Sequence, residues 1–203
     1  MMTESRFLML LINVLMFFPF KSTAQTSWEI DKIEGEIEIY TRIESDSEFK
    51  SFKAVMLVEA SMIEIIEVLR DADNYTNWYG FTKTSTVLER HQNEQYNYVE
   101  TIFPWPYKNR DMVYKMSIDL SNPAITKINL SGIPNYIPQR SGIVRMQEAE
   151  GYILLRQLGQ QTEITYVFHS EPGDNIPAWL ANNSITKLPL KTLSGLRTVL
   201  MVE

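Results

Sequence analysis

From Thr84 to Ser170 the sequence reads as one strand after another: STVLER, QYNYVETIF, RDMVYKMSIDL, AITKINL, GIVRMQEA, YILLRQLG and TEITYVFHS. Each run is short and rich in β-branched and aromatic residues. The breaks between them, at 91–94, 121–123, Gly151 and 159–161, are hairpin-sized. Connections that short leave no room for crossover helices, so sequential neighbours must pair antiparallel. The longer GIPNYIPQRSG carries two prolines and reads as a loop rather than a strand.

The flanks complete the pattern. GEIEIYTRI alternates isoleucine with polar residues and FKAVMLVEA is a denser apolar run, so both read as strands around an acidic turn at 44–50. In SMIEIIEVLRDADNYTNW, Ser61 and Glu64 fit a capping box, and Ile65, Ile66 and Leu69 recur at helical spacing; this predicts a helix over 61–71. At the other end Ile185, Leu188, Leu193, Leu196 and Leu200 fall near one helical face, predicting a helix over 176–200 that is bent near Pro189. An antiparallel sheet with a long terminal helix over one face is an α+β arrangement. Side chains or a ligand can fill the space between them.

The first residues follow a different logic. Arg6 leads into FLMLLINVLMFF, and Ser22 and Ala24 stand before Gln25 in the manner of a signal-peptide cleavage site. The apolar run is about 12 residues, short of the roughly 20 that a spanning helix needs. The expectation is therefore an exported protein, periplasmic or extracellular, cut near Ala24/Gln25, with 25–203 as one domain. Loss of residues 1–24 removes Arg6, Lys21 and Glu4 and moves the formal net charge from −6 to −7. That balance argues against nucleic acid as a partner. With no cysteine there is no disulfide, thiolate metal site or thiol nucleophile.

Catalytic chemistry has few residues to work with. His91 falls in a polar hairpin and His169 ends a strand, and no phosphate loop, nucleophile elbow or metal-ligand histidine pair is present in the sequence. No cofactor is expected. One strand invites a closer look: over 110–119, period two puts Arg110, Met112, Tyr114, Met116 and Ile118 on one face and Asp111, Val113 and Lys115 on the other. The apolar face is the inward one, and it begins with an arginine. Two readings of Arg110 stand open: a structural pair at the rim, or a donor to a ligand's polar head beside an adaptable methionine wall.

PWPYKNRDMVY resembles the Pro-Trp-Pro and Arg-Asp signature of bacterial members of the START (StAR-related lipid-transfer) family. EPGDNIPAWLANNSITKLPLKTLSGLR is similar to that family's C-terminal helix and preceding loop, and SMIEIIEVLRDADNYTNW falls where the family has its first helix and following tryptophan. The resemblance implies a helix-grip fold of the Bet v 1-like superfamily: a curved antiparallel sheet wrapped around a long C-terminal helix, with an internal apolar cavity for a lipid or other hydrophobic small molecule. It also implies that Arg110 and Asp111 lie near that cavity, with Trp105 in the turn before them. Met112 and Lys108 depart from the family pattern, which leaves the ligand undefined.

The leading expectation is a non-enzymatic, monomeric binding protein that touches membranes transiently. Trp78, Trp105, Arg110, Met112, Tyr114, Met116, Tyr166, Phe168 and Trp179 are its expected cavity or rim residues. A tunnel enzyme, and an interaction module whose own side chains fill the space, are the alternatives from other classes.

Overall fold

The structure is a computed structural model and describes residues 27–173 and 176–201. The expected cleavage site near Ala24/Gln25 lies outside the described residues. In chain order the elements are β1 (Glu29–Glu34), β2 (Ile37–Ile43), β3 (Lys50–Val58), α1 (Met62–Arg70), a 3-10 turn (Ala72–Asn77), β4 (Thr82–Arg90), β5 (Glu94–Thr101), β6 (Arg110–Asn122), β7 (Ile125–Gly132), β8 (Val144–Arg145), β9 (Ala149–Leu158), β10 (Gln161–Ser170), α2 (Ala178–Asn182) and α3 (Lys187–Leu200). The strands form one ten-stranded sheet in the order β1-β2-β3-β10-β9-β7-β6-β5-β4, with β8 beside β6. This is the expected α+β arrangement, an antiparallel sheet that carries its helices on one face.

Strand register explains why one face is the core. One row of neighbours runs Gln95, Met116, Leu130, Gly151, Phe168, Phe52 and Thr41 across the sheet. The next runs Ile118, Ile128, Ile153, Tyr166, Ala54 and Ile39. Because side chains alternate, these rows share a face. Phe168 can lie flat in its row because its neighbour is Gly151, where a Cβ would strike the Val167 carbonyl and the Phe168 ring.

Ile65, Val68 and Leu69 of α1, Tyr75 and Trp78 around the 3-10 turn, and Leu193 and Leu196 of α3 cover this face. The capping box at Ser61 and Glu64 is present. Gly80 donates its amide to Thr192 Oγ1 at 3.1 Å. Gly195, in mid-helix, faces the Trp78 carbonyl so closely that a Cβ would collide with it. The two glycines let α3 lie directly on the backbone at 78–80. Among the described residues no helix is long and apolar enough to cross a membrane.

Four sequence expectations need correction. β1 was not expected: its Ile30 and Ile33 are both exposed and a bulge interrupts its pairing, so it carries no period-two apolar signal. GIVRMQEA is not a full strand; only Val144–Arg145 pair, and they run parallel to β6. Gly151 is a close-approach position inside β9 rather than a break. The terminal helix divides at 183–186 instead of bending at Pro189. Pro189 falls in the first turn of α3, where its missing N–H has no helical partner to lose.

Candidate binding site under the helices

β6 carries the expected residues on its two faces. Tyr114 and Met116 are buried in the core and Met112 packs against it half-covered. Arg110 is 1% exposed. Its Nε donates to the Pro172 carbonyl at 3.0 Å, Nη1 to that of Lys108 at 2.5 Å and Nη2 to that of Gly173 at 3.0 Å. The guanidinium also lies 4.7 Å above the Phe103 ring. Backbone carbonyls, a class of partner not anticipated, thus take three of its donors. Arg110 fastens the turn before β6 to the segment that leads into α2.

Period two put Asp111 on the face of the strand opposite Met112 and Met116, and there it is fully buried. Arg145 grips it with two bonds, Nε to Oδ1 at 2.7 Å and Nη2 to Oδ2 at 3.0 Å. The third guanidinium nitrogen of Arg145 donates to the carbonyls of Pro134 and Ile137. The loop expected at 132–142 is therefore clamped over the outer face of β6, and that cover is what alternation could not reveal. Beside it, Glu100 is buried and receives Asn109 Nδ2 at 2.7 Å and Lys83 Nζ at 2.9 Å. Burial would raise its carboxyl, but these bonds outweigh it and hold it below the usual carboxylate range.

The inner face under α1 carries a cluster of tyrosines. Tyr75 donates to the Leu69 carbonyl, and the Tyr79 and Tyr166 hydroxyls share a bond at 2.6 Å. Phe52 meets Tyr166 edge-on, with ring centroids 5.0 Å apart, and Phe168 leans on both. Burial pushes the Tyr75, Tyr79 and Tyr166 hydroxyls up and takes Tyr114 to about 12. All four are neutral hydrogen-bonding groups near pH 7. Asn97, on β5 opposite Tyr114, was not among the expected residues, although it is fully buried among them.

Of the nine expected residues, the structure gathers Trp78, Met112, Tyr114, Met116, Tyr166 and Phe168 in or against the core beneath the helices, and Arg110 at its edge. It places Trp105 and Trp179 elsewhere: they are 92% and 65% exposed, on the surface and not lining an interior. Trp105 stands in a turn between two prolines with no strand partner, and α2 buries none of its residues. Both are surface residues, one in the turn before β6 and one on α2.

A groove of about 560 Å³ lies on the opposite, outer face, lined by Arg42, Glu44, Ser51, Tyr152, His169 and Glu171 among others. His169 Nδ1 is 3.2 Å from Ser51 Oγ and its Nε2 is 3.7 Å from Glu171. The Ser51 hydroxyl donates to Glu44, so His169 is placed to donate to Ser51 rather than to take its proton. His91 sits on the surface beside Glu89 at 2.9 Å. Neither histidine is arranged as the base of a nucleophile.

Comparison with known proteins gives this geometry a context. The START domain family profile matches residues 22–200. The STAR-related lipid transfer protein of Xanthomonas axonopodis superposes with a TM-score of 0.82 at 32% identity, over 86% of this chain and 98% of that one. An uncharacterised protein of Pseudomonas aeruginosa is 29% identical over 84% of this chain and 85% of its own length. Mouse phosphatidylcholine transfer protein is 25% identical over 76% of this chain and 75% of its own. With nearly the whole described sheet and its helices inside the matched region, the chain belongs to the START domain family of lipid-binding and lipid-transfer domains.

Proposed function

We propose that this chain holds one lipid-like molecule between the inner face of the sheet and the covering helices, and carries it between membranes without altering it. The observation that supports this most is the character of that face. From β2 to β6 it is isoleucine, methionine, phenylalanine and neutral tyrosine, with α1 and α3 above it. An apolar guest gains roughly 25 cal/mol for each Å² it removes from water, so such a face can retain one without a catalytic group. The arrangement of His169 and Ser51 supports a non-catalytic reading.

Delivery needs contact with a bilayer. Ile102, Trp105 and Trp179 are exposed, and Arg110 ties the Trp105 turn to the segment preceding Trp179. Tryptophan favours the headgroup level, where its ring is half wet. The carrier works as a monomer and touches membranes transiently through this end. It is exported first: a cut near Ala24/Gln25 leaves every described strand intact.

The test is transfer of an NBD-labelled acyl probe from phosphatidylcholine vesicles to acceptor vesicles. Replacing Trp105 and Trp179 together by alanine is expected to slow transfer by roughly tenfold while the loaded fraction of protein stays unchanged. Transfer no faster with the wild-type protein than without it would end the carrier reading.

A further inference from the structure

We infer that the guest's polar end is an uncharged hydrogen-bond acceptor, an ester, ketone or hydroxyl oxygen, received by Asn97 and Ser85 on the inner face of β4 and β5. This rests on the carrier reading above and specifies its ligand. The two residues are brought together by register. Ser85 pairs with Val99, two residues from Asn97, and Asn97 pairs with both Val87 and Tyr114. Val87, Val99 and Tyr114 all belong to or pack on the core, so Asn97 and Ser85 point the same way. Diagonal neighbours of this kind lie about 7 Å apart, within reach of one small polar group.

The direction of the Asn97 amide follows from a chain of groups that have no choice. Arg90 can only donate, and its Nε gives 2.8 Å to Gln95 Oε1. The Arg70 carbonyl can only accept, and Gln95 Nε2 donates to it at 2.8 Å. The same Nε2 donates to Asn97 Oδ1, also at 2.8 Å. Both amides are thereby fixed, and Asn97 Nδ2 is left as the outward donor. It is buried and makes no hydrogen bond, and Ser85 Oγ is in the same condition. Asn97 is near enough to bias the Tyr114 hydroxyl toward its ionised form, yet the two do not reach bonding geometry. A buried donor without a partner is costly, and most are satisfied by protein or by an ordered molecule. An acceptor oxygen placed between Asn97 and Ser85, beside the Tyr114 hydroxyl, would satisfy both unpartnered donors.

The group is uncharged because the charges on this face are already engaged. Arg90 directs its donors to Gln95 and the Arg70 carbonyl, and Arg110 directs three to the carbonyls of Lys108, Pro172 and Gly173. The surrounding tyrosines stay neutral. A buried ion here would meet dipoles in place of a free counter-ion.

The experiment loads the full chain from cyclodextrin with methyl oleate, 1-octadecene or oleate, and reads occupancy by native mass spectrometry. Wild-type protein is expected to favour methyl oleate over 1-octadecene by about tenfold and over oleate as well. Asn97→Leu should bring the ester and the alkene to parity, and Ser85→Ala should lower the preference at least about threefold with an unchanged melting temperature. If Asn97→Leu does not fold, Ser85→Ala decides alone. Equal loading of ester and alkene by the wild type would mean that buried water serves these donors, and preferential loading of oleate would mean a charged guest; either overturns the inference. Failure of every probe to load would instead overturn the carrier reading itself.

Discussion

Asp111→Ala is expected to lower folding stability by about 3–5 kcal/mol. The carboxylate and its partner Arg145 are both almost wholly buried, and their two bonds are short and parallel. Removing one partner strands the other's charge beneath the loop, which is worse than losing the pair. The double variant Asp111→Leu with Arg145→Met should therefore recover much of the loss. Urea denaturation of the three proteins checks both parts. A single variant within about 1 kcal/mol of wild type would show that the pair is wet and that the loop does not depend on it.

Gly195→Ala is expected to destabilise the fold by about 1–3 kcal/mol, the cost of overpacking a filled contact. The sign is the informative part. In an open helix the same change stabilises by up to about 1 kcal/mol, because glycine is a poor helix former. Here a Cβ meets the Trp78 carbonyl, which belongs to backbone and cannot step aside cheaply. The helix must lift from the 78–80 segment, and the Gly80 to Thr192 bond should open with it. Faster amide exchange at Gly80, with β9 and β10 unaffected, would mark that local opening; a stabilised protein would mean that α3 does not rest on this segment.

How far the sequence could be read depended on whether the deciding contact was local. The capping box at Ser61, the hairpins at 91–94 and 159–161, and the inward face of β6 all rest on neighbours within a few residues, and all were legible. Asp111 was not, because its environment depends on Arg145, 34 positions away across a loop. Period two assigned Asp111 to the outer face correctly but could not show that a loop covers that face. Trp105 and Trp179, expected at the cavity or its rim, are exposed on the surface. Residue type suggests burial for tryptophan, while a proline-bounded turn and a short helix with no buried face leave both exposed.

Asn97 was hidden for a third reason. In QYNYVETIF the aromatic residues Tyr96 and Tyr98 lie on one face, with Gln95, Asn97 and Thr101 on the other. Hydrophobicity alone would turn the tyrosines inward, yet it is the amides that face the core with Val99. The available signal was cross-strand: Asn97 shares a face with Tyr114 once the hairpin before β6 is in register. A polar pair on the inner wall of a ligand-binding fold is where local pattern and function part company.

The central claim is that a guest occupies the space between the inner sheet face and the helices, and native mass spectrometry of the protein recovered from its own producing cells tests it most directly. The account predicts a mass corresponding to a chain that begins at Gln25 plus one bound neutral lipid-like molecule, released by organic extraction. Repeated recovery of the bare chain, together with failure to take up methyl oleate afterwards, would contradict it.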